Sequence, residues 1–476
     1  MGKRDTDSAL GQEMSVGSFG DSRLSRRLGQ MVELLEKLPN RSIPEAMGGL
    51  SEAEAAYRFL RNEQVTPQRI LEPHWRASVE RMRAEGVALV VHDTTEMRFR
   101  GQREGLGDLG SKIYQGFFCH LALAVDARGN RRPLGVLGVQ ALVRRQRHGG
   151  KKRKWRERRV ASDRESLRWG ALLDLVEERV AGRCSMIHLM DREADDYELF
   201  AGMVTKDRRF VVRMHYDRRL QGEPAEALGP RKVQPALDLV EDVADREVVL
   251  SARQAKHPGR PRASGEAPVR RSRVARLKFR STRLCIARPQ DAPNDLPPSL
   301  ELNVVRVQEI EPPDGQEPVL WTLVTTEPVS TPEQVLGVVD YYRCRWMIEE
   351  YFKVLKTGCA YESRQLESLD TLLNFLAIVV PVAWQMFALR SLADVSPQAP
   401  ATDVLTDDQV AVLTKIARPA IPTKPTAHQA LYAIAALGGH FKRNGPPGWL
   451  VLRRGFEKLD GIVEGYCLAV RGCDQS

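Results

Sequence analysis

The chain has 476 residues, enough for two or three domains with a core in each. Lys and Arg number 72 against 62 Asp and Glu, a net charge of +10 with a pI near 9.3, which points toward a polyanionic partner. The 7 cysteines (Cys119, Cys184, Cys285, Cys344, Cys359, Cys467 and Cys473) are scattered without paired spacing, which argues against a disulfide framework or zinc site and fits a reducing cytoplasm; the N-terminus lacks the apolar core of a signal peptide.

To about residue 75 the pattern predicts a helical domain. Leu24, Leu28, Met31, Leu35 and Leu38 keep one apolar stripe, with Arg23, Arg26 and Arg27 at its start. A second helix is expected from Ser51, with Glu54 in capping-box position and Ala56, Tyr57 and Leu60 buried. Basic residues near helix starts suit a DNA-binding module, though any small helical domain can share the pattern.

Strands and helices then alternate. Val87 to Val91 reads as a buried strand ending at His92 and Asp93; Phe117 to Val125 and Leu134 to Leu142 follow as strands. Ser162 with Glu165 is expected to cap a helix carrying Leu167, Ala171, Leu172, Leu175 and Val176. Met186 to Met190 gives a fourth strand ending at Asp191, and Phe210 to Val212 a fifth. This order matches an α/β ribonuclease-H-like catalytic core over 76–370. From 214 to about 320, prolines, basic clusters and β-patterned pieces such as Ala275 to Ile286 predict an inserted β-rich subdomain, rejoining the core at Leu320 to Thr325.

Two dense basic runs, Arg144 to Arg159 and Arg253 to Arg283, are phosphate-binding segments, nucleic-acid-facing arms or solvated chain, and two of them in one globular sequence favour the first. The second contains Gly259-Arg260-Pro261-Arg262, a short match to a minor-groove reader. Leu372 to Leu389 approaches a membrane span in length and hydrophobicity, but Asn374, Pro381 and Gln385 favour a buried helix, and no membrane is expected. Thr406 opens a further helical pattern, Ala427 to Leu437 continues it, and 371–476 reads as a C-terminal helical domain.

Thr331, Pro332 and Gln334 form a helix-start signature, and Gly358 offers the stop. At ~100° per residue, Tyr342, Arg345, Glu349 and Lys356 fall within roughly 60° of one face. A carboxylate there can hold a divalent cation while its neighbours donate to phosphate oxygens; the alternative is a solvated face with ordinary pairing of Arg345 and Glu349. Asp93 and Asp191 shift the balance toward a site. Three carboxylates suit two Mg²⁺ ions, with Mn²⁺ as a substitute, because hard cations take oxygen ligands and a metal pair stabilises both the attacking and the leaving oxygen of a phosphodiester. Singly, Asp93 also reads as a strand-end turn residue and Asp191 as a partner of Arg192.

The segment from Asp340 to Lys356 resembles the Y-x2-R-x3-E-x6-K signature of the insertion-sequence-4 family of DDE transposases, the group that includes the transposase of transposon 5. The resemblance extends through His92 to Thr95, Asp191 to Asp195, Arg209 to Arg213, Ser42 to Pro44, Ala56 to Phe59, Leu437 to Gly439 and Pro446 to Gly448. It implies a cut-and-paste transposase that cleaves through a DNA hairpin, with Asp93, Asp191 and Glu349 as the acidic triad. It implies that Tyr342, Arg345 and Lys356 grip the DNA end, and that Trp321 takes up an extrahelical base with Arg213 nearby. An indole offers a stacking face for an unpaired base; a core aromatic at a strand end is the plainer reading of Trp321. Expected partners are double-stranded DNA, as terminal inverted repeats and target, and a second copy of the chain docked through the C-terminal helices. The expected location is the bacterial cytoplasm, at the nucleoid. The basic run at 144–159 is denser than the family pattern requires, and the leader before Gly17 has no counterpart. The rivals are a catalytically silent DNA-binding relative or transposition inhibitor, and a carboxylate-pair hydrolase of a neutral polymer.

Overall fold

The computed structural model describes residues 8–109, 113–129, 131–144, 165–221, 231–252, 269–403, 405–441 and 445–473. The basic run over 145–159, the expected cap at Ser162 and the tetrapeptide at 259–262 lie outside these residues. The chain divides into two compact units, one of Met1–Arg153, Ala171–Ser185 and Trp346–Ser476, the other of Lys154–Gly170 and Met186–Arg345.

In the first unit the predicted apolar stripe forms the helix Ser22–Lys37, which buries Leu28, Met31, Val32 and Leu35. Asp21 caps it, its carboxylate accepting from the Arg23 amide at 2.8 Å. The helix Leu50–Leu60 begins earlier than expected: Ser51 is already inside it, and Gly49 is its uncapped start. The reason is the glycine pair before it. Gly48, at φ 74°, ends the helix Ile43–Met47, and the extended Gly49 redirects the chain at once.

Strand β1 (Val87–Arg100), the short β2 (Gly107–Asp108), β3 (Tyr114–Asp126) and β4 (Pro133–Leu142) form this unit's antiparallel sheet, with β2 and β4 both pairing with β3. β1 runs against β3 from Ala88 opposite Asp126 to Arg100 opposite Tyr114. The strand expected to end at Asp93 therefore continues past it, and Asp93 is a mid-strand residue. From Ala88 to His92 the strand is continuously buried; beyond Asp93, buried Met97 and Phe99 alternate with exposed Arg98 and Arg100. The end of an apolar run marked a change in covering, not the end of the strand.

The apolar helix Leu369–Val395 is long and apolar enough to cross a membrane by length and composition, and 78% of its most apolar window is buried within the protein. Side chains anchor it at depth. Asn374 Nδ2 donates to the carbonyls of Leu60 and Val65 at 2.9 and 3.0 Å, and its own Val380 and Leu372 carbonyls accept from the Tyr351 and Tyr361 hydroxyls at 2.8 and 2.7 Å. The helix Ser22–Lys37 packs on it and on Trp449–Cys473, so helices from both ends of the chain share one core. The expected helices Asp407–Ile416, capped by Thr406, and Ala427–Leu437 complete this unit.

β5 (Ser185–Met190), in the second unit from Met186 on, and that unit's β6 (Arg209–Arg213) are parallel, joined by the helix Tyr197–Thr205. The stretch read as an inserted β-rich region supplies β7 (Ala244–Leu250), β8 (Arg273–Ala287) and β9 (Ser299–Ile310), and β10 (Leu320–Thr325) follows. These strands extend the same sheet in the order β6, β10, β9, β8, β7, each pair antiparallel. Thr331 and Gln334 close the predicted capping box on the helix Pro332–Cys344.

The single helix expected from Thr331 to Gly358 is broken. It stops at Cys344, resumes as Met347–Lys353 and ends in a π-helical turn, Val354–Gly358. Arg345 and Trp346 keep helical dihedrals, but the Arg345 amide donates to the Tyr342 carbonyl at 3.0 Å and the i to i−4 ladder lapses. Tyr342 and Arg345 therefore belong to the second unit, and Glu349 and Lys356 to the first. The one-face arrangement assumed an unbroken helix.

Candidate active site

In the first unit Asp93 stands half-buried on β1, one of its carboxylate oxygens accepting from the Thr94 amide at 2.7 Å. Strand alternation puts it on the face of Met97 and Phe99, and Phe99 meets Tyr361 edge to face at 5.7 Å. The helix Met347–Lys353 packs on this strand and carries half-buried Glu349 in its first turn, where a carboxylate complements the helix dipole. Lys356, in the π-helical turn, donates to the Glu96 carbonyl of β1 at 2.6 Å and lies 3.7 Å from the Glu362 carboxylate. Burial pulls its pKa below the usual lysine value, with Glu362 opposing. Two of the predicted carboxylates and the predicted lysine thus sit on one strand and the helical segment packed against it.

The second unit gathers the others. Asp191 directly follows β5 and caps the short turn Arg192–Ala194, accepting from the Glu193 amide at 2.8 Å. Arg213 ends β6, Trp321 stands on β10, and Tyr342 and Arg345 lie at the end of the Pro332–Cys344 helix. Trp321 and Tyr342 meet edge to face, centroids 5.6 Å apart at 70°. The Arg213 guanidinium lies 6.0 Å from the Trp321 ring, and that of Arg345 lies 6.0 Å from the Tyr342 ring. Burial raises the Tyr342 pKa, with Arg345 and Arg213 pulling it down and Asp191 pushing it up. Burial lowers that of Arg213, helped by Arg192 and Arg345 and opposed by Tyr342 and Asp191. Five sequence-predicted residues are therefore within electrostatic reach of one another: two aromatics, two guanidinium groups and a carboxylate.

The N-terminal arginines share the first turns of Ser22–Lys37 but not one environment. Arg23 is paired with Asp21 at 2.8 Å, Arg27 is paired with Glu52, and Arg26 is exposed. Sequence reading missed the locks that hold the site elements. Asp340 takes both Arg246 guanidinium nitrogens, at 2.7 and 3.1 Å, fastening the Tyr342 helix to β7. Lys356 is bound to β1. Asp340 itself was in view within the signature segment, but its partner lies 94 residues away, and no local pattern announces it.

Asp93, Asp191 and Glu349 form an all-carboxylate donor set, the chemistry Mg²⁺ or Mn²⁺ prefers. Among the described residues, no three His, Cys, Asp or Glu side chains are gathered closely enough to hold an ion. The donor chemistry fits a hard cation, and the three donors are divided between the two units.

Residues 6–65 match the family model described as transposase DNA-binding, and residues 162–383 match that of the transposase DDE domain. The second match contains Asp191, Arg213, Trp321, Tyr342, Arg345, Glu349 and Lys356, whereas Asp93 lies between the two matches. A piggyBac transposase in a synaptic complex with hairpin DNA is similar at 11% identity and a TM-score of 0.30, over 65% of this chain and 48% of that one, so this chain spans about half its length. Along the chain, then, a stretch similar to transposase DNA-binding domains precedes one similar to transposase DDE domains.

Proposed function

We propose that the protein is a divalent-metal-dependent cut-and-paste DNA transposase of the insertion-sequence-4 kind, built on a ribonuclease-H-like core. The observation that carries this reading is the cluster of Tyr342, Trp321, Arg213 and Arg345 around strand-end Asp191, all within the stretch that matches the DDE domain. The antiparallel β1, β3, β4 set and the parallel β5, β6 pair are the parts from which such a core is built.

In this reading Asp93, Asp191 and Glu349 hold Mg²⁺, or Mn²⁺ in its place. When bound, two such ions lower the charge barrier at the attacking and leaving oxygens of a phosphodiester. The chain's own groups position the DNA. Arg213 and Arg345 supply fixed positive charge for terminal phosphates, and Trp321 offers a face to an unpaired base during hairpin formation. Lys356 brings an ammonium group to the strand that carries Asp93. The N-terminal helices, with Arg26 outward, bind the terminal inverted repeats; a second copy of the chain completes a homodimer through the C-terminal helices, in a bacterial cytoplasm at the nucleoid.

Strand cleavage on DNA carrying the element's ends, with Mg²⁺ or Mn²⁺, tests the reading. Asp93→Ala and Glu349→Ala are each expected to lower single-turnover cleavage by at least about 1,000-fold, the scale of losing a group that stabilises transition-state charge, while end binding persists. Undiminished cleavage in either variant refutes the site. Wild-type protein that binds the ends but never nicks them supports a silent DNA-binding relative instead.

A further inference from the structure

Asp195 follows the turn that Asp191 caps, and its side chain is fully buried. One carboxylate oxygen accepts from the backbone amides of His215 and Tyr216 at 2.6 and 2.9 Å. The other accepts from Arg218 Nε at 2.7 Å, and a second Arg218 nitrogen donates to the Asp195 carbonyl at 2.7 Å. Arg218 is itself buried, 8% exposed at the side chain, with its guanidinium 5.2 Å from the Phe200 ring. The segment it ties down begins just after Arg213, and the intervening Met214 amide donates to the Thr322 carbonyl of β10, next to Trp321, at 2.8 Å.

A buried ion pair is costly to assemble and gains from satisfying every lone pair and proton. Here that requirement couples two loops at neighbouring strand ends. If the carboxylate moves, the Asp191 turn and the post-Arg213 loop both lose their anchor. We propose that Asp195 and Arg218 are positioning residues that fix the spacing between Asp191 and the Arg213 and Trp321 pair. The use of that spacing on DNA rests on the transposase reading; the coupling of the two loops does not.

Amide exchange on the full chain, followed by mass spectrometry, tests the coupling without DNA. Asp195→Asn keeps the shape and one acceptor but removes the charge facing Arg218. Peptides covering 191–196 and 214–218 are expected to lose protection together, by about tenfold or more, with β8 and β9 unchanged. Loss in one loop alone, or in neither, overturns the coupling. If Asp195→Asn does not fold, Arg218→Lys keeps the charge, removes the fork and is expected to loosen both loops less. In a folded variant, single-turnover cleavage of end DNA should fall about 100-fold, as for a small misplacement of reacting groups, with end affinity within about threefold of wild type. Normal cleavage with both loops loosened overturns the positioning role. A wild type that never nicks end DNA counts against the transposase reading, and the exchange data then decide the coupling.

Discussion

The two units solve the same problem, a sheet that must keep its register, by different means. In the first, β4 is covered by the apolar Leu369–Val395 and by Pro67–Glu85, and deep backbone carbonyls are satisfied by side-chain donors: Asn374, Tyr351, Tyr361 and Trp384. In the second, the outer strands β7, β8 and β9 are held by charge: Arg273 with Glu309 at 2.8 Å, Lys278 and Arg280 with Asp242, and Arg246 with Asp340. Where helices bury a layer, an unpaired carbonyl is the main hazard; where strands run toward solvent, paired charges set the register. The first unit should therefore respond most to lost hydrogen-bond donors, and the second to lost charges.

The largest effect should come from the Arg273 and Glu309 pair, whose side chains are 8% and 1% exposed. Glu309→Gln leaves a guanidinium buried without its counter-charge and weakens the acceptor of the Val319 amide, which sits at 2.9 Å. The expected loss is about 3–5 kcal/mol, read as a lowered denaturant midpoint, with β8 and β9 amides exchanging faster before those of β1 and β3. Equal loosening of both units would show that they unfold as one and would erase the distinction.

Asn374→Leu probes the other strategy. It removes one side-chain amide that serves two carbonyls, those of Leu60 and Val65. Leaving them unpaired costs about 1–3 kcal/mol. Protection should fall first in Leu50–Leu60 and the start of the long helix, and not in β8 or β9. An unchanged midpoint would mean that water reaches these carbonyls and that the burial argument for this layer fails.

Local signals were legible in the sequence; distant ones were not. The capping box at Thr331 and Gln334, the strand end at Asp191 and the helix start at Thr406 are set by neighbours within a few residues, and each stands where the pattern puts it. The break after Cys344 has no such signal, since Arg345 and Trp346 are ordinary helix residues with helical dihedrals. The extension of β1 past Asp93 escaped for a related reason, because alternating burial replaces a continuous apolar run within one strand. The gathering of Trp321, Arg213 and Tyr342 came into view only through family resemblance. Their contacts join β6, β10 and a helix end, which composition and periodicity do not connect.

The smallest predicted effect comes from two buried carboxyls of the first unit set against the paired carboxyls of the second. In the first, burial raises Glu36 and Asp460 to about 7, against hydrogen bonds from Ser8 and Gln385 on Glu36 and from Gln409 on Asp460. In the second, Arg273 holds Glu309 low and Arg280 with Lys278 holds Asp242 low; burial pushes Asp340 up, but Arg246 and Arg343 bring it below the usual range. A carboxyl raised on folding binds more protons in the native state, so its contribution is most favourable in acid and is lost as pH rises from the unfolded value toward about 7. A depressed carboxyl does the reverse: its contribution is present above the unfolded value near 4 and is lost as pH falls through the lower folded value. Within the first unit three carboxyls run the other way: Glu13, because His74 and Arg81 more than offset its burial, Asp21, held low by Arg23, and Glu45, held low by Ser42. Between pH 7 and 5 Glu36 and Asp460 should therefore add stability to the first unit, opposed by His74, whose burial-lowered pKa costs stability as pH falls through the ordinary histidine value, while the second unit changes little; below pH 4 the second should lose stability. Glu36→Gln should flatten the gain by on the order of 1 kcal/mol, measured as the pH dependence of exchange protection in Ser22–Lys37. A slope that survives in both Glu36→Gln and Asp460→Asn would have to come from other groups, and the contrast between the units would then rest on their hydrogen bonds and ion pairs alone.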